Sequence, residues 1–142
     1  MVDNPPKGFP VVTPYLLYED LDAAVDWLIP TFGLTESVRM RGEDGSSMHA
    51  ELTRGAGVVM MGRPGGDYRN PSHLGGVTCL VYVYVEDVDA HHATARAAGA
   101  RIERELADQF YGDRTYAALD PEGHSWTFAQ HVRDVPTEEM HA

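Results

Sequence analysis

The chain is short of three things. Its single cysteine, Cys79, can form no intramolecular disulfide, which excludes a small disulfide scaffold and fits a reducing cytoplasm. Basic residues are scarce, 11 Lys+Arg against 22 Asp+Glu for a net charge of -11, and such a surface repels polyphosphate, so no nucleic acid and no membrane is expected as a partner. Long apolar runs are missing too: the longest, 79–85, falls far below a membrane span, and residues 1–10 have no apolar core of a secretory signal. What remains, 142 residues at 43% hydrophobic and 23% charged, is an ordinary globular composition the size of one domain or two small modules. A folded, acidic, cytoplasmic protein is the expectation.

The chain also repeats itself. Glu19-Asp20-Leu21-Asp22-Ala23 returns 67 positions later as Glu86-Asp87-Val88-Asp89-Ala90, and the same shift carries Ala50 to Ala117, Leu52 to Leu119, and Val59 and Met61 to Trp126 and Phe128. Residues 11–18 and 79–85 are rich in Val, Leu and Tyr, as strands require. Asp20 and Asp87 follow at helix N-cap positions. Leu21, Val25, Leu28, Ile29 and Phe32 recur at helical spacing, with Pro30 in the last turn before Gly33, and an Ala-rich second helix over 88–98 closes at Gly99. Extended stretches come next at 36–41, 48–53 and 57–62, and again at 101–105, 115–119 and 125–130. Tight turns join the last two of each copy, at Gly55-Ala56 and Asp120-Pro121-Glu122-Gly123. The fold class is α+β, two tandem βαβββ modules at 11–62 and 77–132, with an arm at 1–10, a Gly/Pro-rich linker at 63–76 and a tail at 133–142.

This order, with Glu-Asp-x-Asp-Ala opening each helix and Asp120-Pro121-Glu122-Gly123-His124-Ser125-Trp126 before the last strand, resembles the vicinal oxygen chelate superfamily. That group contains glyoxalases, extradiol dioxygenases and bleomycin-resistance proteins, and the resemblance spans 11–132. It implies curved sheets that form a cleft, a homodimer that completes it and, in metal-dependent members, ligands from the first and last strands of each module. Those positions fall at Thr13, Met60, Leu80 and Thr127, none of them His, Asp or Glu. A divalent ion needs such donors, so no metal and no cofactor is expected, nearest to the metal-free resistance type.

Strand alternation puts Val81, Val83 and Val85 on a face suited to a helix, and Leu80, Tyr82 and Tyr84 on the cleft side. Tyr15 joins them, and Tyr116 is read as the equivalent of His49. Tyrosine rings attract cations and their hydroxyls orient a ligand, although filling a cup-shaped core is the plainer use. His49 and Glu51 share a strand face, with Glu51 set across from Met60, as a ligand pair, an acid/base pair or a polar rim. His91 and His92 cannot chelate together from one helix; His92 is expected against the sheet and His91 at the surface. The stretch Phe110-Tyr111-Gly112-Asp113-Arg114 is similar to loops of resistance-type members that reach the cleft, where Tyr111 lies and Arg114 forks onto a ligand oxygen or onto a carboxylate such as Asp113.

Two functions stand open. One is a small-molecule binding protein of the antibiotic-resistance type, sequestering a planar or cationic compound in an aromatic cleft without metal. The other is a lyase, isomerase or dioxygenase of the same superfamily, working through His49 and Glu51 or an atypical metal site. Whether the chain is an enzyme is left open by its residues.

Overall fold

The helices start where the repeated Glu-Asp-x-Asp-Ala motif places its first aspartate. In a computed structural model that describes residues 1–141, Asp20 accepts the Ala23 N–H at 3.1 Å and Asp87 the Ala90 N–H at 3.0 Å. Helix α1 is Leu21–Phe32, and Gly33, at φ 70°, ends it by donating its N–H to the Ile29 carbonyl. Leu21, Ala24, Val25, Leu28 and Phe32 are buried, while Ile29 is half-buried at the edge of that stripe. Burying each large member contributes about 1.5–3 kcal/mol.

Strand β1 is Tyr15–Leu17, β2 Thr35–Arg41, β3 Ser47–Arg54 and β4 Gly57–Gly62. They form one sheet in the order β1-β4-β3-β2, β1 parallel to β4 and the rest antiparallel. A one-turn helix, α2, Pro71–Leu74, sits inside the stretch expected as linker. The second unit repeats the plan with β5 Leu80–Tyr84, α3 Val88–Ala97, β6 Arg101–Asp108, β7 Asp113–Leu119 and β8 Ser125–His131, in the order β5-β8-β7-β6. Contacts divide the chain into Met1–Leu74 and Gly75–Ala142, each with its own four-stranded sheet. Strand β1 is shorter than the 11–18 expected, since Pro14 has no N–H for the ladder, though its carbonyl still accepts from Met60. The last position of the expected tail, 142, lies outside the described residues. Among the described residues no helix is long and apolar enough to cross a membrane.

The repeat offset is not constant, and this decides which side chains share a face. Tyr15 pairs with Met60 as Tyr82 pairs with Thr127, which keeps the offset of 67 in the outer and last strands. In the middle strands Glu51 pairs with Met60, but it is Ala117 that pairs with Thr127, so β3 maps onto β7 with an offset of 66. One residue is lost between the helix N-cap and the closing glycine, Asp20 to Gly33 against Asp87 to Gly99, and regained in the longer Asp120 turn. A slip of one residue turns every side chain of a strand to the other face. Tyr116 therefore takes the place of Ala50, toward the helix, and Thr115 the place of His49.

The second aspartate of each motif anchors an arginine from the sheet. Asp22 accepts from Arg39 at 3.0 Å, and Asp89 from Arg114 at 2.9 Å. The Asp-Pro-x-Gly turn is closed by Asp120, which is buried and accepts from the Glu122 and His124 N–H groups and from the Trp126 indole.

Candidate functional site

Each sheet has one face against its helix and one turned away from it, termed the open face; in the second unit its middle is buried, with Thr115, Ala117, Thr127 and Ala129 all at 7% exposure or less. In the first unit Tyr15 from β1, His49 and Glu51 from β3 and Met60 from β4 share the open face. The Tyr15 hydroxyl meets His49 Nδ1 at 2.8 Å, and His49 Nε2 meets Glu51 Oε2 at 2.8 Å. A shallow depression of about 400 Å³ also lies in this unit, lined by Glu19, Asp67, Tyr68, Arg69 and His73, none of them a candidate from the sequence.

In the second unit the open face carries a different cluster. The Tyr82 and Tyr84 hydroxyls both donate to Asp113 Oδ2, at 2.7 and 2.9 Å, and Tyr111 interacts with Tyr82 as well. His131 Nδ1 lies 2.8 Å from Asp113 Oδ1 and its Nε2 lies 2.7 Å from Asp134 Oδ1. Asp113 is 3% exposed; burial works against its charge, yet hydrogen bonds from Tyr82, His131 and Tyr84 outweigh this and hold its carboxyl below the ordinary range. The hydrogen bond to Asp134, then that to Asp113, raises His131 above its usual value. Desolvation and the bond to Asp113 raise Tyr82, and the same bond raises Tyr84, so both phenols keep their protons. The Thr127 hydroxyl, between Tyr82 and Ala117 in the ladder, is buried with no hydrogen-bond partner.

Gly112 makes this cluster possible. Its φ is 102°, its carbonyl accepts from the Val132 and Arg133 N–H groups, and a Cβ there would run into the Arg133 carbonyl oxygen. Gly112→Ala is expected to destabilise the second unit by roughly 2 kcal/mol and to loosen Asp113, read as a lower denaturation midpoint.

Two residues expected on the cleft side belong to the other face. Tyr116 is 1% exposed and its hydroxyl meets His91 Nδ1 at 2.6 Å, so it packs under α3; the one-residue change of register is the reason. His91, expected at the surface, is half-buried instead, its ring tilted against Phe128 with centroids 4.2 Å apart and bonded to the Tyr116 hydroxyl. Arg114 neighbours Asp113 and so points the opposite way, to Asp89 and Asp108, where its ion pairs tie β7 to α3. Asp113, expected only as a partner for Arg114, and His131, not a candidate from the sequence, meet in this cluster instead. Alternation from Thr127 through Ala129 reaches His131, and alternation within 113–114 separates Asp113 from Arg114.

The family model of the Glyoxalase/Bleomycin resistance protein/Dioxygenase superfamily matches residues 10–128. The chain belongs to this superfamily. It is similar to an uncharacterized protein of Mycobacterium bovis, 36% identical over 138 residues that cover 94% of this chain and 91% of that one. Among solved structures it is similar to TioX from Micromonospora sp. ML1, with a TM-score of 0.70 and 43% identity over 85% of this chain and 98% of that chain. A glyoxalase/bleomycin resistance protein/dioxygenase from Nocardioides matches at a TM-score of 0.67 and 19% identity, covering 90% of this chain and 87% of that one, a likeness of fold.

Metal-dependent members of the superfamily require imidazole or carboxylate donors, and the four positions where the resemblance places those ligands do not supply them. Thr13, Met60, Leu80 and Thr127 offer a thioether, an alkyl group and two neutral hydroxyls. His49 and Glu51 are turned to each other, and among the described residues no three His, Cys, Asp or Glu side chains are grouped as a metal ion would need.

Proposed function

We propose that this superfamily member binds a planar aromatic compound, cationic or rich in N–H donors, on the tyrosine-bearing open faces of its modules, without a metal and as a homodimer, in the manner of a resistance-type binding protein. The observation that carries the reading is the direction of the tyrosine protons. Tyr82 and Tyr84 donate theirs inward to Asp113, so toward a guest they offer ring faces and oxygen lone pairs, both of which attract positive charge. As residues they are 39% and 60% exposed, which leaves aromatic surface for stacking. The net charge of -11 adds a long-range attraction, screened beyond about 8 Å at physiological ionic strength.

Calorimetry with matched pairs of fused-ring aromatics, one amine-bearing and cationic, the other carboxylate-bearing, tests this. Saturable binding of the cationic member, weakening as salt rises, is expected. If no fused-ring compound of either charge binds saturably, or if the carboxylate member binds more tightly, the reading is wrong.

A further inference from the structure

Tyr15 stands on β1 and His49 on β3, with β4 between them, so a side chain reaches across only if the intervening strand offers none. Gly62 supplies that gap. It is the ladder partner of His49, and a Cβ on it would lie 2.8 Å from the ring and the hydroxyl of Tyr15. Through the gap Tyr15 bonds His49, and His49 bonds Glu51, each at 2.8 Å. A carboxylate only accepts, so Nε2 carries the imidazole proton and Nδ1 keeps the lone pair toward which Tyr15 donates. The His49 and Glu51 side chains are 18% and 12% exposed, whereas Tyr15 as a residue is 50% exposed: the orienting groups are the more sheltered members of the chain. Carboxylate, imidazole and hydroxyl in this order activate hydroxyl nucleophiles on unrelated folds.

We propose that Tyr15, His49 and Glu51 form a metal-free acyl-transfer site, with Tyr15 as nucleophile toward an activated ester or thioester. The Tyr15 oxygen bonds to the acyl carbonyl carbon as its proton passes to His49 Nδ1, and Glu51 stabilises the imidazolium. The adduct collapses by breaking the bond to the leaving alcohol or thiol, which takes that proton from His49. Water then adds to the acyl-tyrosine with His49 as base, and the proton returns to the tyrosine oxygen as the carboxylic acid departs. This activity is independent of the aromatic binding proposed above, and its probe needs no aromatic guest to be known.

The test treats the full chain with p-nitrophenyl acetate, following p-nitrophenol release and mapping the acetyl group by mass spectrometry of peptides. Acetylation of Tyr15 is expected to run ahead of Tyr84, although Tyr84 is the more exposed at 60%. That comparison within one molecule needs no variant. Tyr15→Phe should abolish the label, and His49→Gln should slow it about a hundredfold. Gly62→Ala leaves all three groups present but closes the gap, and should slow it comparably, with circular dichroism checking that the variants fold. Acetyl found on Lys7 or Cys79 with Tyr15 bare, and with no more p-nitrophenol released than that labelling accounts for, overturns the proposal. So does Tyr15 labelling no faster than Tyr84, or at an unchanged rate in folded His49→Gln or Gly62→Ala.

Discussion

Trp126→Ala should lower the stability of the second unit by about 3–5 kcal/mol, seen as a fall in the denaturant midpoint at unchanged slope. The indole is 0% exposed and lies parallel to Phe128, with ring centroids 6.3 Å apart, so truncation empties a large volume that the strands cannot refill. A second loss adds to the first. The indole N–H donates to Asp120 Oδ2 at 3.1 Å, and the other oxygen of that buried carboxylate holds the two N–H groups of the turn. Trp126→Phe separates the terms: it keeps most of the apolar volume, leaves Asp120 short of one donor, and should cost about 1–3 kcal/mol. Equal losses in the two variants would show that the hydrogen bond, not the packing, dominates.

The same residue shows why the fold could be read from the sequence. The Asp-Pro-x-Gly-x-x-Trp stretch is one local device in which a turn carboxylate reaches the indole six residues on, and the N-cap aspartates are another. Signals of this kind act over a few residues and survive without any knowledge of distant contacts. The βαβββ order and both sheets follow from them together with the alternation of apolar residues. Tyr116 and Arg114 marked the limit. Their facing depends on whether the second copy is 66 or 67 residues behind the first at that point, and only the pairing of Ala117 with Thr127 decides it. His49 and Glu51 were visible as neighbours on one strand, but the reach of Tyr15 over Gly62 is a contact across three strands that no local pattern encodes. Asp113 was visible only as a partner for Arg114, because a charged pair adjacent in sequence suggests a salt bridge, whereas in a strand adjacent residues point apart.

Asp113→Ala should weaken binding of a cationic aromatic roughly tenfold to a hundredfold, since the Tyr82 and Tyr84 protons are released and the acceptor face they present is lost. The same variant should change how stability responds to pH, and the sign follows from the two shifts. Asp113 is held below the ordinary carboxylate range, so its contribution is present above about pH 3.9 and is lost as pH falls through the lowered folded value. His131 is raised above about 6.5, so its contribution is full below that pH and disappears as pH rises through the raised folded value. The native cluster therefore contributes most between about pH 4 and 6.5, and thermal unfolding should show a decline on each side of that window. Asp113→Ala removes the acidic decline at this site and lowers the His131 titration seen by NMR of its ring protons, though not to the ordinary value, because Asp134 still faces Nε2 at 2.7 Å. His131→Gln does the reverse, abolishing the alkaline decline while leaving the acidic one. Unchanged affinity in a folded Asp113→Ala variant would mean that the tyrosine protons do not govern what this face accepts, whatever happens to the pH profile.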